Sequence, residues 1–114
     1  LLRAMITTHG VNKVILVGHL GNEPETRRMP NGTAVTTLRL ATTERSRAPD
    51  KEAHTEWHRV VFIGELGEFA GETLVKGSHI YIEGALRTRN WQKFGQTHYQ
   101  TEIIGRELRI VGTK

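Results

Sequence analysis

The amino-acid sequence predicts an all-β domain with a single helix. Three observations carry this reading. β-branched and aromatic runs recur along the chain, turn residues separate them, and only residues 65–75 repeat apolar side chains at helical spacing. At 114 residues the chain is one domain, long enough to bury a core and too short for two. Its charged fraction of 25% and hydrophobic fraction of 37% suit a soluble globular protein.

The elements follow in order. Residues 11–20 are a β-branched run, broken by Gly18 as a bulge would break it, and read as the first strand. Met29-Pro30-Asn31-Gly32 is a turn, with Asn-Gly supplying the positive φ values of a tight hairpin. Residues 33–43, rich in Thr, Val and Leu, form the second strand, and 45–53, polar and holding Pro49, a long loop. Residues 55–63 are the third strand. In 65–75, Leu66, Phe69, Ala70 and Leu74 share a helix face, and Lys76-Gly77 closes the helix. Residues 78–89 give a fourth strand, 90–98 a second loop carrying Trp91 and Phe94, and 99–111 a fifth strand. Three strands, a helix and two strands is the order of an OB-fold, a five-stranded Greek-key barrel whose helix lies between strands three and four. A β-meander with one helix has the same order. The barrel is placed at 10–111, between an arm at 1–9 and a short end at 112–114, with no repeat or linker.

Several function classes are excluded by composition. No apolar run reaches the length of a membrane span, and Leu1-Leu2-Arg3-Ala4-Met5 lacks the apolar stretch of a secretory signal. The chain has no cysteine, which removes disulfides, a thiol nucleophile and Cys-based zinc sites, and fits a cytoplasmic protein. His54, Glu56 and His58 share a strand face but not the order or the helix of zinc proteases. Gly64, Gly67 and Gly71 lack the Gly-Lys-Ser/Thr ending of a phosphate loop. No nucleophile, base and orienting group stand together, so no enzyme, cofactor or metal is expected.

What remains is the chemistry of two tryptophans. On a strand, residues two apart share a face. Trp57, Arg59, Val61 and Ile63 fall on one side of the third strand, with His58, Val60 and Phe62 behind them. Arg87, Arg89 and Trp91 share one side of the next, with Ile80, Ile82 and Leu86 on the apolar reverse. An indole stacks on any base and a guanidinium meets phosphate, which together serve single-stranded nucleic acid. The net charge of +4 is mild, but 84–101 holds Arg87, Arg89 and Lys93 and no acid, a local field that favours a polyanion.

These residues also resemble a known family, the bacterial-type single-stranded DNA-binding proteins. The resemblance lies in the run from Gly10 to Gly18, in Met29-Pro30-Asn31-Gly32, and in Thr55-Glu56-Trp57-His58-Arg59-Val60-Val61. It continues through Lys76-Gly77-Ser78, Tyr81-Ile82-Glu83-Gly84 and Leu86-Arg87-Thr88-Arg89 with Trp91, and covers roughly Gly10 to Ile104 in order. It implies a homotetramer of OB-folds wrapped by single-stranded DNA, nucleoid-associated, serving replication, recombination and repair. Trp57 and Trp91 would stack on bases, and Arg59, Arg87, Arg89, Lys13 and Lys76 would meet phosphates. Lys93 and Phe94 join them from the second loop, and His58 is the candidate for a subunit contact.

The departures mark a divergent member. The family's aromatic near the start of the long loop is replaced by Glu44-Arg45-Ser46-Arg47, and its aromatic on the Trp57 face by Ile63. Glu65 and Asn90 stand where basic residues are common. Each lost platform weakens binding by about 1–3 kcal/mol where it stacks a base. Arg45 and Arg47 offset part of this, since a guanidinium can also stack. The family's members end in an acidic C-terminal tip that recruits replication and repair proteins; this sequence stops at Gly112-Thr113-Lys114, so such partners are expected only where an acidic tail lies outside this chain. A replication-restart or RNA-binding OB-fold module is the alternative reading.

Overall fold

The structure is a computed structural model and describes residues 9–45 and 52–112. Its elements are β1 (Val14–Leu20), β2 (Glu25–Arg28), β3 (Ala34–Glu44), β4 (His54–Ile63), α1 (Glu65–Thr73), β5 (His79–Lys93) and β6 (Gln96–Gly112). The strands hydrogen-bond in the order β1-β5-β6-β4-β3-β2, and β3 also meets β1, which closes the sheet on itself. The ring is uneven. Only His19↔Ala41 and Leu20↔Leu40 join β1 to β3, and only Val60↔Ile103 and Val61↔Ile104 join β4 to β6, in parallel.

Strand alternation fills the barrel. Leu38 and Leu40 on β3, Val60 and Phe62 on β4, and Ile80 and Ile82 on β5 all point inward and are fully buried. Each such side chain contributes about 1.5–3 kcal/mol by leaving water. Ala70 of the helix and Leu74 just after it plug one end of the barrel. Gly64, at φ 79°, starts it and donates its N–H to the Ala34 carbonyl at 2.9 Å. Glu65 and Glu68 lie in its first turn, where the helix dipole favours negative charge. Gly67 lets the helix backbone close on β3 and β4, and its carbonyl accepts the buried Thr36 hydroxyl at 2.6 Å. Thr36 in turn accepts from Thr26 at 2.8 Å, so β2, β3 and α1 share one hydrogen-bond chain.

All-β with one helix and OB-like closure are as the sequence predicts, with differences in detail. β2 is an additional short strand; its Glu-Thr-Arg-Arg sequence is exposed throughout and shows no apolar alternation. It exists because its backbone pairs with the start of β3, from Glu25↔Thr37 to Arg28↔Ala34. Gly18 marks no bulge: β1 pairs with β5 without a break from Val14 to His19. A β-carbon on Gly18 would instead collide with the Ala41 carbonyl of β3, so the residue permits the barrel to close. In the β2–β3 turn only Gly32 takes a positive φ, of 89°, while Asn31 accepts the Thr33 N–H on its side chain at 3.0 Å. The helix ends at Thr73, two residues early, because Leu74 is already extended and turned into the core.

The largest difference concerns 90–98, expected to be a loop. It is a β-hairpin: pairing runs on to Lys93↔Gln96, and Phe94-Gly95 make a tight turn at φ 53° and 76°. Exposure on both faces leaves no apolar alternation to mark this strand, and cross-strand pairing sustains it. Leu86 pairs with the buried Ile103 and so shares its face, but it lies beside a cleft and is half exposed rather than covered as Ile80 and Ile82 are.

Candidate nucleic-acid interface

Two long hairpins project from the barrel. One arm is β3–β4, paired from Ala41↔Trp57 to Glu44↔His54; the other is β5–β6, paired from Leu86↔Ile103 to Lys93↔Gln96. The parallel pairing of β4 with β6 begins only at Val60 and Ile103. Before those residues the two strands part, leaving a cleft of about 260 Å³ whose lining includes Trp57, Arg59, Leu86, Thr101 and Glu102. Directly paired residues share a face, so the register places Arg39, Trp57, Arg59, Glu102, Arg87, Arg89 and Trp91 on one continuous outward surface.

Trp57 is half exposed and rests its ring against the backbone of Gly21. Its cation is not Arg59 but Arg39, whose guanidinium lies 5.9 Å from the ring centroid. Gly21, Asn22, Arg39 and Trp57 line a hollow of about 180 Å³. On the other arm, Trp91 is 38% exposed, with the Arg89 guanidinium 5.1 Å from its ring and His98 stacked at 5.6 Å. Arg59 turns away from Trp57 to Glu102, its Nε 3.1 Å from the carboxylate. Arg89 reaches the same oxygen at 3.5 Å and donates from Nη2 to Gln100 at 2.9 Å. Arg87 is exposed and makes no ion pair among the described residues.

The remaining candidates scatter. Phe94 stands at the hairpin tip, 93% exposed, with the Lys93 ammonium 5.7 Å from its ring. Lys76 is exposed beside Gly77, whose N–H meets the Leu20 carbonyl one residue before Gly21. Lys13 lies on the β1–β5 wall and is ion-paired to Glu83 at 3.1 Å. The Glu83 carboxyl is held below the usual range by the Tyr81 hydroxyl first and by Lys13 second. Arg45 is exposed at the root of the long loop, and Arg47 lies outside the described residues, as does the arm at 1–9 except for His9. His58 faces the other way, half-buried, with Nε2 2.8 Å from the Thr42 hydroxyl. His54 pairs with Glu56 at 3.0 Å, and among the described residues no three such side chains gather as metal ligands do.

Arg39 and Glu102 are the residues sequence reasoning missed. Arg39 stands between the buried Leu38 and Leu40, so alternation alone aims it outward beside Trp57. Glu102 sits one position beyond the acid-free stretch, which is acid-free along the chain but not in space: Glu102 is the register partner of Arg87.

A model of the single-strand binding protein family matches residues 11–111. Among solved structures, the fold is similar to one titled "Plasmodium falciparum SSB complex with ssDNA", with a TM-score of 0.83 and 32% sequence identity, covering 92% of this chain and 98% of that one. The tryptophan-bearing strands, the closed barrel with one helix and both hairpin arms fall inside the matched span, and the chain belongs to the single-strand binding protein family, which is DNA-binding and non-catalytic.

Proposed function

We propose that this protein binds single-stranded DNA without sequence preference, stacking bases on Trp57 and Trp91 and meeting phosphates with Arg39, Arg87 and Lys93. The observation that carries this is the pair of arms, each presenting a partly exposed indole beside a guanidinium, on either side of an open cleft. Ring faces and cations read no base edge, which makes the binding indifferent to sequence. In this reading the protein covers single strands at the nucleoid during replication, recombination and repair, in the cytoplasm.

The working unit in this reading is a homotetramer. β1 meets β3 only at its last two residues, so most of one edge of β1 is free for another strand. Ile15 and Val17 on its outer face are about half exposed, an apolar wall suited to burial by a second copy. His58, half-buried behind the β4 arm, is a second candidate for a subunit contact. Quenching of tryptophan fluorescence on titration with oligo-dT, with duplex and RNA oligonucleotides as competitors, tests the ligand. Duplex competing as well as oligo-dT would overturn this reading, and RNA competing better would favour an RNA-binding module. Light scattering that reports a monomer at micromolar concentration would remove the tetramer.

A further inference from the structure

Glu102 is only 8% exposed, yet its Oε1 lies 3.1 Å from Arg59 Nε and 3.5 Å from Arg89 Nε. A carboxylate removed from water is retained as an anion only where cations and hydrogen bonds compensate it. The two arginines that do so come from different hairpins: Arg59 is on β4, at the foot of the β3–β4 arm, and Arg89 on β5. Arg89 is fixed further by Gln100, and its guanidinium lies over Trp91. A guanidinium carries five N–H donors, so an arginine that gives its Nε to Glu102 still offers its outer edge and its flat face to a ligand.

We propose that Glu102 is a positioning and charge-setting residue of the single-strand track: it clamps Arg59 and Arg89 across the gap between the arms and holds the trio at one net positive charge. The arginines then meet the strand as oriented donors and stacking faces rather than as two independent counter-charges for phosphate. A polyanion-binding surface with a carboxylate at its centre gives up electrostatic affinity, and that sacrifice shifts binding toward the rings. This inference rests on the single-strand-binding reading of the same surface.

The test is the salt dependence of oligo-dT binding. Each phosphate neutralised on a single strand adds about 0.7 to the slope of log affinity against log salt. Glu102→Gln keeps the shape and a hydrogen-bond acceptor but leaves two net charges, so the slope steepens by about 0.7 and affinity rises at low salt. The double variant Arg59→Gln/Glu102→Gln returns the trio to one charge and the slope to the wild-type value. The same double variant exceeds Arg59→Gln alone by about 0.7, a comparison that stands even where Glu102→Gln by itself melts early. A carboxylate that served folding alone would shift the melting temperature and leave both slope differences at zero, which would overturn the inference. Wild-type protein that fails to bind oligo-dT would overturn the function beneath it instead.

Discussion

The ring of Trp57 occupies the space that a β-carbon on Gly21 would need. The first stacking platform is therefore set by a backbone on which no side chain stands, at the end of β1, rather than by its own strand alone. Gly21→Ala must push the indole outward or tilt it, and the ring can yield because it is half exposed. The expected result is an altered Trp fluorescence and oligo-dT binding weaker by up to about 1–3 kcal/mol, the worth of a stacked base. Melting should change little. Unchanged binding and fluorescence would mean that the ring's seat on Gly21 is incidental.

Trp57→Ala and Trp91→Ala should each weaken binding by about 1–3 kcal/mol while the domain stays folded. Phe62→Ala is the contrast, because Phe62 is fully buried in the barrel and its truncation costs about 3–5 kcal/mol of stability. Melting curves beside fluorescence titrations separate the two kinds of residue. A collapse in melting temperature for either Trp variant, with binding intact, would assign that tryptophan to the core.

Charge and stacking are separable by salt. Arg87 is exposed and unpaired among the described residues, so Arg87→Ala should flatten the salt slope by about 0.7 and weaken all sequences alike. Trp91→Ala should lower affinity and leave the slope nearly unchanged, since a neutral ring releases no counterions. Arg89→Ala is a mixed variant: it also uncovers Trp91 and removes a partner from Glu102. A slope unmoved by Arg87→Ala would take this face off the DNA path.

The barrel was legible because its strands alternate: Val60 and Phe62 against Trp57 and Arg59 declare one inner and one outer face without any knowledge of neighbours. β2 was not, because an edge strand of Glu, Thr and Arg has no inner face to declare and is held by the backbone of β3. The arm carrying Trp91 was hidden for a related reason. From Arg87 to Gln96 every residue is exposed, so no burial pattern marks it as strand, and cross-strand pairing does so instead. The site failed where partners come from other strands. Arg39 beside Trp57 and Glu102 beside Arg59 are neighbours by register, and register is a property of the closed sheet rather than of any one segment.

The last prediction concerns acid. Arg28 on β2 and Glu68 on α1 form a two-pronged ion pair, at 2.6 and 2.8 Å, and tie the edge strand to the helix. The hydrogen bond from Arg28, and then its charge, hold the Glu68 carboxyl below its ordinary value of 4.5. A carboxyl whose folded pKa is depressed binds fewer protons in the native state than in the unfolded one. Its contribution is therefore complete above the ordinary value and is lost as pH falls through the lower, folded one. Both partners are exposed, so the effect is modest. Wild-type protein should melt above Arg28→Gln near neutral pH, and the gap should close as the buffer is taken from about pH 6 to about pH 3. Glu68→Gln should show the same closing gap, whereas Glu56 and Glu83, also held low by their own neighbours, titrate equally in all three proteins. Arg28 also donates to the Gly32 carbonyl at 3.0 Å, a bond that does not titrate. A gap that stays constant with pH for Arg28→Gln would assign its stabilisation to that turn rather than to Glu68.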